Sequence, residues 1–240
     1  MKNKNFFDNF KNLIFTRRCD ICGEVCDVRK NLCVECEANP CRIEGDICEK
    51  CGVPKKECLC RRAPFYMSVC APFYYENGPQ KAISLMKFKN DMAITENLGK
   101  EMAECVKKRY NGYDFDCVTF IPSHKTDLKK RGYNQAERLA NIVARELQLP
   151  CYNLINKDFI TSTQHLLPAH LRTGNLAGAL SYNKAAGYDI ENMRILLCDD
   201  LKTTGSTLNE STKMLLFNGA AEVRCITACI KLNKQKKPDS

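Results

Sequence analysis

From residue 63 onward, the chain alternates between short runs of apolar residues and longer stretches in which apolar residues recur every three or four positions. The short runs predict strands at residues 66–75, 117–121, 151–155, 195–198 and 222–230. The longer spacing predicts helices over residues 79–88, 92–110, 134–147 and 208–217. Strands separated by helices favour parallel pairing, because neighbouring parallel strands need a long crossover that a helix supplies. The pattern therefore predicts an α/β fold whose mainly parallel sheet is flanked by helices.

The N-terminal part follows a different pattern, with many cysteines and few large apolar side chains. Ten of the 17 cysteines fall between Cys19 and Cys60. We therefore expect a small cysteine-rich domain over residues 1–62, a larger α/β domain over residues 63–233, and a disordered, lysine-rich tail over residues 234–240. A domain this small and poor in apolar residues needs additional stabilisation, which bound metal can supply.

Before the first cysteine, Phe6, Phe10 and Leu13 lie on one face of a predicted short helix. This face suits packing on the protein's own core, with a membrane or a partner helix as the alternative. No run approaches the roughly 20 apolar residues of a membrane span, and the N-terminal stretch lacks the apolar core of a signal peptide. We expect a cytoplasmic protein with reduced thiols.

Cysteine pairs at the spacing of zinc knuckles occur in two sets. The first set has two pairs with two intervening residues each, and its four thiolates can complete a tetrahedral, structural zinc site. The second set predicts a second zinc site, although its last pair has only one intervening residue. The predicted ligands are Cys19, Cys22, Cys33, Cys36, Cys48, Cys51, Cys58 and Cys60. The pairs can group consecutively or interleave, and Cys26 or Cys41 can replace a ligand.

The formal net charge of +9 assumes neutral thiols, so metal-bound thiolates would lower it. Basic composition is therefore weak support for nucleic-acid binding. Basic residues flank the cysteine pairs, but acidic residues are interspersed among them, so no clean electrostatic footprint for nucleic acid can be read. Nucleic-acid binding by the cysteine-rich domain stays open.

The segment ILLCDDLKTTGSTL, residues 195–208, joins a predicted strand to a predicted helix. The amides of its TTGST sequence would point outward at the helix N-terminus, where the helix dipole and unpaired N–H groups favour a phosphate. Gly205 allows close approach of the backbone to a ligand. Asp199 and Asp200, at the carboxyl end of the strand, can accept hydrogen bonds from a ribose diol or bind Mg²⁺. The segment predicts a sugar-phosphate site, with an ordinary exposed turn as the alternative.

A second anion site is predicted after the second strand of the α/β domain. The loop there carries His124, Lys125, Lys129, Lys130 and Arg131. These cations can hold a pyrophosphate, whose charge exceeds what a single helix end can neutralise. A solvated basic loop is the alternative.

A polar stretch over residues 156–175 is long enough to act as a mobile cover over an occupied site. It contains Gln164, Arg172 and Asn175. Lys87 ends a predicted helix, where a cation complements the helix dipole, with ligand binding as the alternative.

Together these motifs resemble the ComF family of competence-associated phosphoribosyltransferase-like proteins. The acidic pair followed by TTGST is similar to the 5-phosphoribosyl-1-pyrophosphate (PRPP) motif of type I phosphoribosyltransferases. The cysteine pairs, P-x-H, R-G-Y-N-Q-A and Q-x7-R-x2-N extend the resemblance over nearly the whole chain. It implies a double zinc ribbon followed by a phosphoribosyltransferase fold, a cytoplasmic location, and a part in the uptake of single-stranded DNA during transformation. The chain departs from the family at its short last cysteine pair, at Ser123 and at Leu180.

By position, the resemblance implies a role for each motif. Asp199 and Asp200 would hold the ribose hydroxyls or Mg²⁺. The 5′-phosphate would be bound by Thr203, Thr204, Gly205, Ser206 and Thr207. The pyrophosphate loop would include Ser123, His124, Lys125 and Arg131, and the flexible loop Gln164, Arg172 and Asn175. Implied partners are PRPP, single-stranded DNA, and the competence helicase or other DNA-processing proteins.

Three hypotheses about function follow. In the first, the protein is an enzyme that transfers the phosphoribosyl group of PRPP to an acceptor that the sequence does not identify. In the second, PRPP regulates the binding of DNA or of the competence machinery without turnover. In the third, the protein is a zinc-dependent interaction protein whose PRPP site is vestigial.

Overall fold

The computed structural model describes residues 17–60, 63–157 and 180–232. The predicted N-terminal helix, the predicted flexible loop at residues 164–175 and the predicted tail lie outside the described residues, so these expectations and the domain division stay predictions. Within the described ranges, no helix combines the length and hydropathy that crossing a bilayer requires.

Strands and helices alternate along the α/β part in the predicted order. The strands are β1 (Arg17–Arg18), β2 (Val25–Cys26), β3 (Ser68–Cys70), β4 (Phe73–Tyr74), β5 (Cys117–Phe120), β6 (Ile155–Lys157), β7 (Leu180–Tyr182), β8 (Arg194–Lys202) and β9 (Glu222–Ile230). The α-helices are α1 (Val34–Ala38), α2 (Asn77–Lys89), α3 (Met92–Arg109), α4 (Lys125–Arg131), α5 (Gln135–Leu147) and α6 (Ser206–Phe217). Short 3₁₀ turns lie at Lys55–Glu57 and Lys184–Ala186.

The central sheet has the strand order β3, β9, β8, β5, and β4 also pairs with β9. All of these pairs are parallel. Alternate residues of β8 point to opposite faces. Leu196 and Cys198 pack in one buried cluster with α2, α3 and α5, while Ile195 and Leu197 pack in another with α6. Because helices cover both faces, the middle strand is apolar throughout this stretch. The predicted α/β fold, a mainly parallel sheet flanked by helices, is confirmed.

Two predicted strands are shorter than the apolar pattern indicates. The run over residues 66–75 forms β3 and β4 with a break between them, where Pro72 has no N–H to donate to a sheet. The Pro72 carbonyl accepts instead from Ile43 N at 2.9 Å. The run near residues 151–155 makes a single parallel bridge to β5 and then diverges. It leads into β6, which pairs antiparallel with β7 in a separate two-stranded sheet.

Two predicted loops contain regular structure. The basic segment after β5 forms α4, with His124 as its N-cap and Gly132, at φ 78°, as its C-cap. Residues 156 and 157, expected to begin the flexible stretch, belong to β6. The seven residues of α4 include a single apolar residue, Leu128, so no apolar periodicity marks this helix in the sequence.

The cysteine-rich residues pack directly on the α/β part. Cys22 and Cys36 are buried in the same cluster as α2 and α3. A Cβ at Gly78 would lie 2.6 Å from Cys36 Sγ, so this close approach requires a glycine. Farther along, Val69 N of β3 donates to the Glu49 carbonyl at 2.8 Å. The cysteine-rich residues therefore meet the sheet region at two separate places.

Candidate functional site

The acidic pair lies where the two neighbours of β8 differ in length. On one side, Ile121 N makes a hydrogen bond to the Cys198 carbonyl at 3.0 Å, just after β5 ends. On the other side, β8 stays paired with β9 up to Lys202. Asp199 and Asp200 are therefore held in strand geometry by β9 while lying beyond the end of β5. The sequence predicted that the strand ends before the acidic pair. In the structure β8 continues to Lys202, and the acidic pair lacks a neighbouring strand only on the side of β5.

A pocket of about 190 Å³ opens at this edge of the sheet. We call it the central pocket. The structure brings six of the predicted ligand-binding residues together in its lining. These are Ser123, His124, Arg131, Asp199, Asp200 and Thr207.

The acidic pair places two carboxyl groups side by side in the central pocket. The Asp200 amide donates to Asp199 Oδ1 at 2.8 Å. Lys87 Nζ, from α2, forms an ion pair with the Asp200 carboxylate, and both side chains are mostly shielded from solvent. Burial, and after it the charge of Asp200, holds the pKa of the Asp199 carboxyl well above its usual range. A cation or two donating hydroxyl groups bound here would relieve this repulsion.

A hydrogen-bonded group of side chains forms another wall of the central pocket. Ser123 Oγ donates to Asn134 Oδ1 at 2.8 Å, and Asn134 Nδ2 donates to the Ile121 carbonyl at 3.1 Å. Arg131 Nη1 donates to Gln135 Oε1 at 3.3 Å. Gln135 is buried, yet its Nε2 has no hydrogen-bond partner among the described residues. Because a buried donor without a partner is costly, this N–H suits an acceptor atom of a ligand.

Helix α4 presents only part of its positive charge to the central pocket. The ring of His124 accepts a hydrogen bond from the amide two residues later and so caps the helix. The Arg131 guanidinium lies 5.3 Å from the centroid of the Phe88 ring. Lys129 and Lys130 are exposed and lie outside the pocket lining. Of the cations predicted in this segment, His124 and Arg131 line the central pocket, and the binding of a pyrophosphate by this segment stays a prediction.

The TTGST loop between β8 and α6 has an open helix N-terminus. Gly205 is the N-cap residue of α6 at φ 82°, and no side chain caps the helix. Thr204 Oγ1 lies 2.8 Å from Ser206 Oγ and accepts from Ser206 N at 3.3 Å. An uncapped N-terminus leaves N–H groups for an anion, which fits the predicted phosphate site.

A second pocket, of about 210 Å³, lies on the other side of this loop, and we call it the ribbon pocket. Thr203, Thr204 and Lys202 line it together with Cys51 and Cys60. The residues predicted to hold the 5′-phosphate are thus divided between two pockets. This division follows from the fold, which places the cysteine-rich residues against the TTGST loop.

Two groups of four cysteines each bring their sulfur atoms within 4.8 Å of one another. Tetrahedral zinc with Zn–S bonds of about 2.3 Å requires sulfur separations of about 3.8 Å, so both groups fit zinc. The first cluster contains Cys19, Cys22, Cys33 and Cys36, and the second cluster contains Cys48, Cys51, Cys58 and Cys60.

The pairs group consecutively, a point that the sequence left open. Cys26 and Cys41 lie outside both clusters and donate to neighbouring backbone carbonyls. The short spacing of the last pair fits the second cluster. Cys58 Sγ accepts from the Cys60 amide at 3.5 Å and lies 3.3 Å from Cys48 Sγ.

Sequence reasoning did not assign five polar residues of the central pocket to the site, namely Lys87, Asp127, Asn134, Gln135 and Lys157. Lys87 was interpreted mainly as a helix-ending cation, and Asn134 and Gln135 as the start of a helix. The signal for Asn134 and Gln135 was present, since the R-G-Y-N-Q-A motif places two amides directly after the predicted anion segment. Gln164, Arg172 and Asn175 lie outside the described residues.

Comparisons with known proteins agree with this geometry. A family model described as the phosphoribosyl transferase domain matches residues 134–240. DNA utilization protein YhgH of Escherichia coli is 27% identical over 78% of this chain and 86% of its own length. Competence protein ComFC of Bacillus subtilis is 27% identical over 80% of both chains. Competence protein F of Haemophilus influenzae is 28% identical over 88% of this chain and 95% of its own.

The matched domain contains the acidic pair and the TTGST loop, and the similarity to competence proteins extends over most of the chain. Both findings confirm the resemblance that the motifs indicated. The chain carries a phosphoribosyltransferase-type domain and is similar to competence and DNA utilization proteins over most of its length.

Proposed function

We propose that the central pocket and the TTGST loop bind PRPP and that the protein transfers its phosphoribosyl group to an acceptor. One observation carries this proposal: the acidic pair, Arg131 and the unpartnered Gln135 amide converge where β5 ends, next to the open N-terminus of α6. Open α/β sheets bind ligands at the carboxyl ends of their strands. The match to the phosphoribosyltransferase domain supports the same assignment.

Each part of PRPP meets a suitable group in this proposal. Asp199 and Asp200 accept hydrogen bonds from the two ribose hydroxyls. The first amides of α6 and the hydroxyl of Thr207 hold the 5′-phosphate, which the helix dipole also favours. Arg131 and Gln135 Nε2 donate to the pyrophosphate. Mg²⁺, a hard cation that prefers carboxylate and phosphate oxygens, supplies further neutralisation of charge when it binds with PRPP near the acidic pair.

The transfer breaks the bond between ribose C1 and a pyrophosphate oxygen, and the bonding electrons leave with pyrophosphate. A lone pair of the acceptor forms the new bond to C1, and the acceptor's proton passes to solvent. Positive charge develops on the ribose and negative charge on the leaving group. The acidic pair is placed to stabilise the first charge and Arg131 the second, so positioning and electrostatics suffice without a covalent nucleophile.

The two cysteine clusters are proposed to bind one structural zinc ion each. Four thiolates fill the tetrahedral coordination of zinc and leave no open position for chemistry. The names of the relatives, competence and DNA utilization proteins, support a part for this protein in DNA uptake during transformation, in the cytoplasm. Single-stranded DNA, the competence helicase and other DNA-processing proteins are the partners proposed for that role.

Calorimetric titration with PRPP and Mg²⁺ tests the binding site. The double variant Asp199→Ala with Asp200→Ala should lose PRPP binding. Asp114→Ala, which removes an exposed carboxylate before β5 at the other end of the sheet, should bind like the wild type. Absence of PRPP binding by the wild-type protein would overturn the proposal.

Turnover is tested by incubating labelled PRPP with bases, amines and single-stranded DNA and measuring pyrophosphate release. Release that depends on the acidic pair supports transfer. PRPP binding without release under any condition overturns transfer and leaves regulated binding. Complementation of a transformable bacterium that lacks its ComF homologue, using the same double variant, tests whether the site is needed for DNA uptake.

A further inference from the structure

Lys202, the last residue of β8, is an unusual buried cation. It is 8% exposed and is the only charged side chain that is buried in the part of the chain that the structure describes. Burying an ammonium group is costly unless opposite charge or hydrogen bonds compensate it. The surroundings of Lys202 therefore have to supply that compensation.

Within residues 17–60, 63–157 and 180–232, no carboxylate forms an ion pair with Lys202. The lysine ion pairs in these ranges all involve other lysines. Lys202 instead lines the ribbon pocket together with Cys51 and Cys60. Burial lowers the pKa of Lys202, and these two cysteines exert the strongest opposing effect. Glu57 also lines this pocket, but its carboxylate accepts a hydrogen bond from the Tyr74 hydroxyl, so the second cluster is the stronger candidate for compensating the charge of Lys202.

Four thiolates around one Zn²⁺ leave about two negative charges. When the second cluster is loaded, this charge and the Lys202 side chain line the same partly enclosed pocket, where electrostatic attraction is stronger than at an exposed surface. The residues present therefore fit a charge link between the metal cluster and β8.

The same lysine also contacts the TTGST loop. A Cβ at Gly205 would lie 3.2 Å from Lys202 Cε and 3.3 Å from the Tyr66 hydroxyl oxygen. The Tyr66 hydroxyl donates to the carbonyl of Lys50, which lies between two ligands of the second cluster, at 3.1 Å. Lys202 and Tyr66 therefore both lie between the second cluster and Gly205, the N-cap residue of α6.

We propose that Lys202 is a positioning residue that couples the second cluster to the TTGST loop. The loaded cluster holds the Lys202 ammonium, and Lys202 and Tyr66 together hold Gly205 in the geometry that presents the N-terminus of α6 to a phosphate. Loss of metal from the second cluster then weakens phosphate binding at a loop that contains no metal ligand. The phosphate part of this inference rests on the proposed PRPP function, whereas the link between Lys202 and the metal does not.

Zinc release from the full-length protein to a chromogenic chelator tests the link to the metal. Lys202→Met keeps the length of the side chain without its charge, and Lys202→Arg keeps the charge. The phase that belongs to the second cluster is identified by its absence in Cys58→Ser. Loss of a residue that supports metal ligands typically lowers metal affinity about 10- to 100-fold, and we expect Lys202→Met to accelerate zinc release from the second cluster by a similar factor. Lys202→Arg should stay close to wild type.

Release from the first cluster is the internal control for folding. It should be the same in all Lys202 variants, because this cluster packs on α2 and α3 instead of on the TTGST loop. A wild-type rate for the second cluster in Lys202→Met overturns the proposal. Equal acceleration of both phases also overturns it, because it shows general destabilisation.

PRPP affinity tests the link to the loop. Lys202→Met and Cys58→Ser should each lower the affinity, and the double variant should bind no more weakly than the weaker single variant, because both changes break the same connection. Additive losses overturn the coupling. If wild-type protein binds no PRPP, the proposed function fails, while the zinc-release comparison still decides whether Lys202 supports the second cluster.

Discussion

Replacing either aspartate of the central pocket with asparagine should change the free energy of unfolding, but in opposite directions. The two side chains are adjacent in sequence and similar in size, so each variant is the matched control of the other. Asp199 has no ion-pair partner among the described residues and lies beside a second carboxylate. Asp200 is paired with Lys87. Asp199→Asn removes a repulsion, whereas Asp200→Asn removes an attraction.

The surroundings of the two carboxylates indicate how large each change in the free energy of unfolding should be. Single stabilising substitutions commonly contribute about 0.5–2 kcal/mol, and we expect a gain in this range for Asp199→Asn. At this chain length, each kcal/mol corresponds to a shift of roughly 2–4 °C in Tm. The side chains of Lys87 and Asp200 are 22% and 15% exposed, so their pair is more shielded than a surface salt bridge. Losing it should cost about 1–3 kcal/mol, because the lysine stays behind with its partner removed.

Urea unfolding of wild type and both variants, in buffer without Mg²⁺ or chelator, measures these differences. The effect of Asp199→Asn should depend on pH. The pKa of Asp199 lies above its value in the unfolded chain, so the folded state binds more protons between these two pKa values. The folded state therefore loses stability as pH rises from the unfolded pKa of Asp199 to its raised folded pKa. The advantage of Asp199→Asn should therefore be larger in mildly alkaline than in mildly acidic buffer. Equal destabilisation by both variants, or an advantage that shrinks with rising pH, would refute the reasoning.

Three further predictions concern the same surroundings. Lys87→Met should cost about 1–3 kcal/mol in urea unfolding at neutral pH, because it leaves two neighbouring carboxylates without their cation, and an unchanged midpoint would contradict this. Gly205→Ala should lower the free energy of unfolding more than Gly112→Ala. Gly112 has a similar positive φ, but no atom lies near the Cβ that alanine adds there, and equal losses would show that packing at the TTGST loop does not matter. Cys22→Ser should lower the zinc content measured by atomic emission by one equivalent, while Cys26→Ser should leave it unchanged. Loss of zinc in both variants would contradict the placement of Cys26 outside the first cluster.

The fold was predictable where an element carries its own periodic signal. Helix α5 and strands β8 and β9 are apolar at the spacing that their buried faces require, and each was expected within a few residues of its position. Helix α4 has a single apolar residue and was missed. The end of β8 was placed too early because Asp199 and Asp200 interrupt the apolar run, while the backbone of β9 continues the pairing regardless of side-chain polarity.

Some residues of the candidate site could likewise be predicted from the sequence, and others could not. The TTGST loop and the acidic pair were recognisable because their chemistry depends on adjacent residues. The contribution of Gln135 was not, since Arg131 and Ser123 both donate to its Oε1 in the folded structure while its Nε2 has no partner among the described residues. Lys202 follows Asp200 by two positions, yet nothing in the sequence indicates that it is buried.

By itself, the sequence determined the α/β class, the order of most elements, the cysteine pairs and the sugar-phosphate motif, because these depend on local periodicity and on short spacings along the chain. Only the tertiary structure decided how the cysteines group, that Lys87 reaches Asp200, and that the second cluster lies against the TTGST loop. The last two contacts join residues far apart in sequence, and their energies depend on burial and distance, which arise only when the chain folds.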